Sequence, residues 1–225
     1  MFMPISKLAK VASVGLILLL GACVEQQATA IAVAEADDAS DGGVEVRRVE
    51  LQRAGNTVAI TPPRGFCIDP QNAHEGAVVA GSCAALGVEV QQPAGVTSQT
   101  LVMMTASVSE ASVPGDGRLT ARVEQLEAFL QTGRMNDMLA EDQGVARLIE
   151  TRLRGDTVYA LVEDNEATAF AGASKRFWRV MSEENGRMIV LTVRALEEYW
   201  PGEQALLDRA VAFRESIRRA NVGAA

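Results

Sequence analysis

The dipeptide Asn185-Gly186 constrains the fold of this chain more than any other feature, because it separates two runs in which apolar residues alternate. Asn-Gly supplies the two positive-φ positions of a type I′ turn, whose twist matches that of the antiparallel strands it joins. The pattern predicts strands over 175–184 and 187–195. A two-residue loop also sets their register, with Ser182 opposite Ile189, Val180 opposite Leu191 and Trp178 opposite Val193 on a core face. The other face carries Phe177, Arg179, Met181, Met188, Val190, Thr192 and Arg194. Gly155-Asp156 predicts a second hairpin, from 146–154 to 157–163. Its simple register sets Ile149, Thr151, Leu153, Val158, Ala160 and Val162 against Arg152, Tyr159 and Leu161.

Turn residues and periodicity supply the remaining elements. Val44, Val46, Val49 and Leu51 suggest an edge-like first strand, and 57–61 a second that Pro62-Pro63 stops. Runs 77–83 and 100–109 read as strands three and four. After the break at Gly115-Asp116-Gly117, Leu119, Val123, Leu126 and Leu130 recur at helical spacing, and a short helical or irregular piece is expected over 136–141. Pro201 opens the last helix. Leu206, Ala210, Phe213 and Ile217 form its buried stripe, and Asn221-Val222-Gly223 ends it. A sheet apolar on both faces is normally covered on both. The expected fold is therefore α+β, an α/β/α sandwich in which helices over 119–131 and 203–220 flank an antiparallel sheet.

The N-terminus sets the address. Lys7 and Lys10 precede an apolar run of about ten residues, half of the roughly 20 that span a bilayer, so the segment reads as a secretory signal. It ends in Leu20-Gly21-Ala22-Cys23, which resembles the bacterial lipobox. That resemblance implies cleavage before Cys23, a diacylglycerol on its thiol and attachment to the membrane through acyl chains. Val24, where inner-membrane lipoproteins tend to carry Asp, implies an outer-membrane location facing the periplasm. Residues 1–22 then form the signal peptide, 23–43 an acylated tether and 44–222 one domain. The tether holds Glu25, Glu35, Asp37, Asp38 and Asp41 without a basic residue or an aromatic, a composition that cannot bury enough surface to order itself. Flexible, it would reach about 25 Å. The Asp37 to Gly42 cluster lacks EF-hand spacing and reads as a solvated spacer.

Charge and composition exclude several classes. Of 21 Lys and Arg, two leave with the signal, so 19 basic face 29 acidic residues and the mature charge is −10. Nucleic acid is not an expected partner. The single histidine, His74, removes multi-histidine metal sites, and neither metal nor cofactor is expected. Apart from Cys23 there are two cysteines, Cys67 and Cys83, which in an oxidising compartment should pair. The rival reading makes Cys67 a nucleophile with His74 as base. Hydrolase elbows, P-loops and Cys-x2-Cys pairs are absent, and Ser82 has no histidine nearby in sequence except His74. Glu163-Asp164-Asn165-Glu166 and Glu183-Glu184 offer carboxylate pairs for glycoside hydrolysis, but both lie in turns, where acids are usually solvated. Two constellations suit interaction instead. Phe177, Arg179 and Arg194 share one face of a strand pair, where they either meet an anion or pack under a helix. Tyr199-Trp200, ahead of Pro201, is either a binding anchor or a staple for the helix.

The strand ending in Thr61-Pro62-Pro63-Arg64-Gly65-Phe66, the late hairpins and a closing helix with Phe213-x3-Ile217-x-Arg219 are similar to the PsbP-like fold over roughly 44–220. The disulfide pair and the long stretch 87–98 depart from it. Phe66-Cys67-Ile68-Asp69-Pro70 also resembles uncharacterised alphaproteobacterial secreted proteins. The likeness implies a mostly non-catalytic superfamily of photosystem subunits, Ran-binding proteins and lipoproteins. The expected role is a non-enzymatic accessory module of the cell envelope, bound to the membrane through Cys23 and to an envelope protein through its domain. The alternatives are a small-ligand or lipid carrier and, less favoured, a carboxylate-based hydrolase.

Overall fold

The computed structural model describes residues 32–33, 45–74, 76–88, 101–112, 119, 122–132, 139, 146–164 and 171–222. The signal segment, Cys23, Val44, Glu166 and most of 87–98 and 136–141 lie outside them. Within the segment read as a tether, β1 (Ala32–Val33) pairs with β2 (Val49–Arg53), Ala32 opposite Glu50.

A seven-stranded antiparallel sheet runs in the order β4 (Phe66–Ile68), β5 (Ala77–Ser82), β6 (Val102–Ser112), β10 (Arg187–Leu196), β9 (Ala173–Glu184), β8 (Thr157–Asp164), β7 (Ala146–Arg154). Among the described residues, two α-helices have defined bounds, α1 (Val123–Gln131) and α2 (Glu203–Asn221). The molecule is thus mixed α+β, as its periodicity suggested. The β9–β10 hairpin has the expected register, Ser182 opposite Ile189 and Trp178 opposite Val193, with Asn185 at φ +48° and Gly186 at +73° in the turn. Alternation then puts Trp178, Val180, Leu191 and Val193 into one core with Leu206, Ala210, Phe213 and Ile217 of α2. Trp178 Nε1 donates to the Glu203 carbonyl at 2.9 Å and fixes the first turn of α2 to the sheet.

Three features depart from the periodicity reading. First, β2 and β3 (Asn56–Ile60) are not members of the main sheet. They form a hairpin over Ala54-Gly55 whose Val49, Leu51, Val58 and Ile60 pack into the same core as α2. One helix is about 10 Å across and cannot blanket seven strands spaced at 4.8 Å, so the hairpin shares that face. Second, the three-residue β4 has too short a run to signal itself; it pairs with β5, Phe66 opposite Ser82. Third, a bulge lies between Leu148 and Glu150 in the β7–β8 pair. It sets Leu148, not Ile149, opposite Val162, so Leu148 packs with Val158, Ala160 and Val162 while Ile149 turns to the α2 core. On that second face α1 lies over β7 and β8, burying Val123 and Leu130 with Phe177 and Val162. Toward β6 the same face carries half-buried Met103, Thr105 and Val190 and exposed Ser107.

Candidate functional site

The hairpin register brings Phe177 opposite Arg194 and puts Arg179 two residues along the same face. Two guanidinium groups lie over the phenyl ring, Arg194 at 3.9 Å from its centroid and Arg179 at 5.5 Å, a cation–π arrangement on a ring and an arginine that are both fully buried. Arg194 Nη1 also donates to the Ser174 carbonyl at 3.0 Å. The three residues share one place, as the register required. Phe177 and Arg194 belong to the interior, however, and only half-buried Arg179 presents surface.

Tyr199 and Trp200 lie elsewhere. Leu196 pairs with Ala173, so the chain leaving β10 is six residues along β9 from Arg179, roughly 20 Å at strand rise. A 3₁₀ turn, Glu197–Tyr199, follows. Its backbone is held by Glu197 N donating to the Gly172 carbonyl at 2.9 Å and Trp200 N to the Glu197 carbonyl at 3.3 Å. Tyr199 is 47% exposed, whereas Trp200 is half-buried and packs on the α2 core. One aromatic fixes the corner and the other faces solvent. Trp200 packs as a staple would, and Tyr199 is left with an exposed ring.

Among the described residues, the candidate carboxylates do not converge. Glu163 is held by Arg147 at 2.6 Å and Arg176 at 3.1 Å, and these hydrogen bonds keep its carboxyl below the usual range. A general acid needs the opposite shift. Glu183 and Glu184 are neighbours on a strand and face opposite ways. Glu183 accepts from the Leu119 backbone N–H at 2.6 Å beside α1, and Glu184 pairs with Arg214 of α2 beneath the other face. Asp164 is fully buried.

Cys67 and Cys83 form a disulfide with a Cα–Cα separation of 4.8 Å, fully buried with Val88. A disulfide sulfur is no thiolate nucleophile, so the Cys67–His74 alternative fails in this state. His74 instead makes a backbone bridge with Ala77. Glu45 lies with its carboxylate within 4.8 Å of both sulfurs.

Sequence reasoning missed a recess bounded by β3, the Asn185-Gly186 turn and the end of α2. Its walls are Arg48, Glu50, Gly55, Asn56, Thr57, Ala59, Asn185 and Asn221. Asn221 is the most telling of these. Its Nδ2 donates to the Ala59 carbonyl at 2.8 Å and its Oδ1 accepts from the Ala59 N–H at 2.9 Å, so the side chain closes the free edge of β3 as another strand would. The only sequence signal was an Asn at a helix end, which reads as a stop.

No protein-family model matches the chain, and neither does any curated protein. Among solved structures, the Ran-binding protein Mog1p of Saccharomyces cerevisiae is similar over 78% of this chain and 92% of its own, with 9% identity and a TM-score of 0.34. Cyanobacterial PsbP (CyanoP) from Synechocystis sp. PCC 6803 is similar over 76% of this chain and 93% of its own, with 16% identity and a TM-score of 0.35.

Proposed function

We propose that this chain is a lipid-anchored accessory protein of the cell envelope, attached through acylated Cys23 to the periplasmic face of the outer membrane, whose domain binds an envelope protein without catalysing a reaction. The domain in this reading is a PsbP-like α/β/α sandwich held off the membrane by the part of the acidic segment that precedes β1. The observation that carries the binding role is the corner after β10, where Tyr199 is 47% exposed beside a Trp200 fixed in the core. A rigid aromatic presented on a fixed turn loses little entropy on contact, which is why such residues dominate interfaces. Arg179 is a second, separate contact.

Two alternatives are less well supported. A lipid carrier needs an enclosed apolar chamber, and the recess described beside β3 is lined by polar side chains at six of its eight residues. A glycosidase needs one carboxyl with a raised pKa facing a second, and Glu163, Glu183 and Glu184 are committed to separate partners. Metabolic labelling with palmitate tests the anchor. Wild-type protein should carry label and fractionate with outer membrane, and Cys23→Ser should lose both; label that survives the substitution contradicts the assignment.

A further inference from the structure

The β3 recess lies at the opposite end of the β9–β10 hairpin from Tyr199, and it has the makings of a second site. Its volume is about 430 Å³, within the span of small-ligand pockets. Hydrogen bonds fix which way its amides point. Asn56 Nδ2 donates to the Asn185 carbonyl and Asn185 Nδ2 to the Thr57 carbonyl, each at 2.7 Å. Reversing either amide would set oxygen against oxygen. Both amides are therefore fixed in the wall, and neither Oδ1 accepts a hydrogen bond from a described residue. Glu50 gives one oxygen to Arg48 Nη2 at 2.9 Å, while Arg48 Nη1 reaches the Ala220 carbonyl at 3.4 Å.

We propose that this recess binds one ring of a neutral saccharide. The acceptors call for a ligand rich in donors. The one carboxylate in the wall is already paired with the one guanidinium, so no net charge is left to select an ion. Six of the eight wall residues carry polar side chains while their carbon atoms leave apolar surface between them, a mixture that suits a ring bearing hydroxyls. A hydroxyl donates and accepts at once, so adjacent hydroxyls satisfy an asparagine oxygen and Arg48 together. Because the acceptors are held in place before binding, little ordering is required of the protein. The proposal does not depend on the Tyr199 corner, and each can fail alone.

The test uses the full acylated chain, ¹⁵N-labelled, in micelles of a detergent without a sugar headgroup. N-acetylglucosamine, glucose, permethylated glucose and methylammonium are titrated separately. At least one of the two sugars should shift the side-chain amide signals of Asn56 and Asn185 saturably, while permethylated glucose, which has no donors, and methylammonium should not. Asn185→Gly, which suits the φ of +48°, and Asn56→Ala, which each remove one of the two fixed acceptors, should each weaken binding about tenfold with the rest of the spectrum unchanged. The proposal is overturned if neither sugar gives a saturable shift, if permethylated glucose or methylammonium acts equally well, or if both variants bind like the wild type.

Discussion

Arg214 lies on the core side of α2 with 2% of its side chain exposed. It pairs with Glu184, approaches Asp156 at 3.7 Å, and donates to Thr157 Oγ1 at 3.3 Å and the Glu183 carbonyl at 3.5 Å. One guanidinium thus joins both hairpins to the closing helix. Nothing in the sequence marked it, since an arginine beside Phe213 reads as a surface residue, and only the fold brings its partners within reach. Arg214→Met should destabilise the domain by about 3 kcal/mol, the low end for breaking a buried pair because the Asp156 carboxylate stays partly solvated; urea unfolding measures it. Tyr159 is nearby, and burial pushes its phenol up to about 12, against the opposing pull of Arg214 and Arg154. The folded state thus favours the neutral phenol. That stability is fully present below the ordinary tyrosine pKa of 10 and is lost as pH rises toward 12. Thermal melts should fall across this window, and in Tyr159→Phe the fall should be shallower; equal slopes would contradict the assignment.

At the scale of elements, the two late hairpins were legible because a two-residue turn leaves one register. The limit of that legibility is one residue wide. The bulge at Leu148–Glu150 sends Leu148 to one core and Ile149 to the other, and both are aliphatic, so the pattern could not show where the slip falls. The β2–β3 hairpin was legible as two strands but not as a separate layer, because what decides its place is the area α2 leaves uncovered. The Cys67–Cys83 link is an element-scale device as well. It closes a 16-residue separation and ties β4 to the end of β5 at a sheet edge. Replacing both cysteines with serine should cost about 3 kcal/mol by loop-closure entropy, read as a lower denaturation midpoint. A double variant as stable as the wild type would mean that the edge needs no link.

The whole molecule separates its polar groups by task. Glu163 is spent on Arg147 and Arg176, Glu184 on Arg214 and Glu183 on the Leu119 backbone, and the arginine–phenyl cluster at Phe177 is mostly interior. The candidate interaction residues fell into these two places because alternation along β9 and the exit of β10 separate them, which residue type alone does not show. What remains outward is Tyr199 with Arg179. The central claim, binding without catalysis, is tested most directly by crosslinking the acylated full chain in envelopes, purifying it, and quantifying the same crosslinked species for the wild type, Tyr199→Ala, Arg179→Ala and Glu163→Gln. Loss of one interface anchor typically costs about 2 kcal/mol, a roughly thirtyfold fall in affinity. Tyr199→Ala should therefore deplete a defined species, with Arg179→Ala weaker or silent and Glu163→Gln at the wild-type level, all at unchanged melting temperature. An unchanged crosslink pattern in Tyr199→Ala, together with loss of the crosslinked species in Glu163→Gln, would contradict the account and return the carboxylates to the centre of the function.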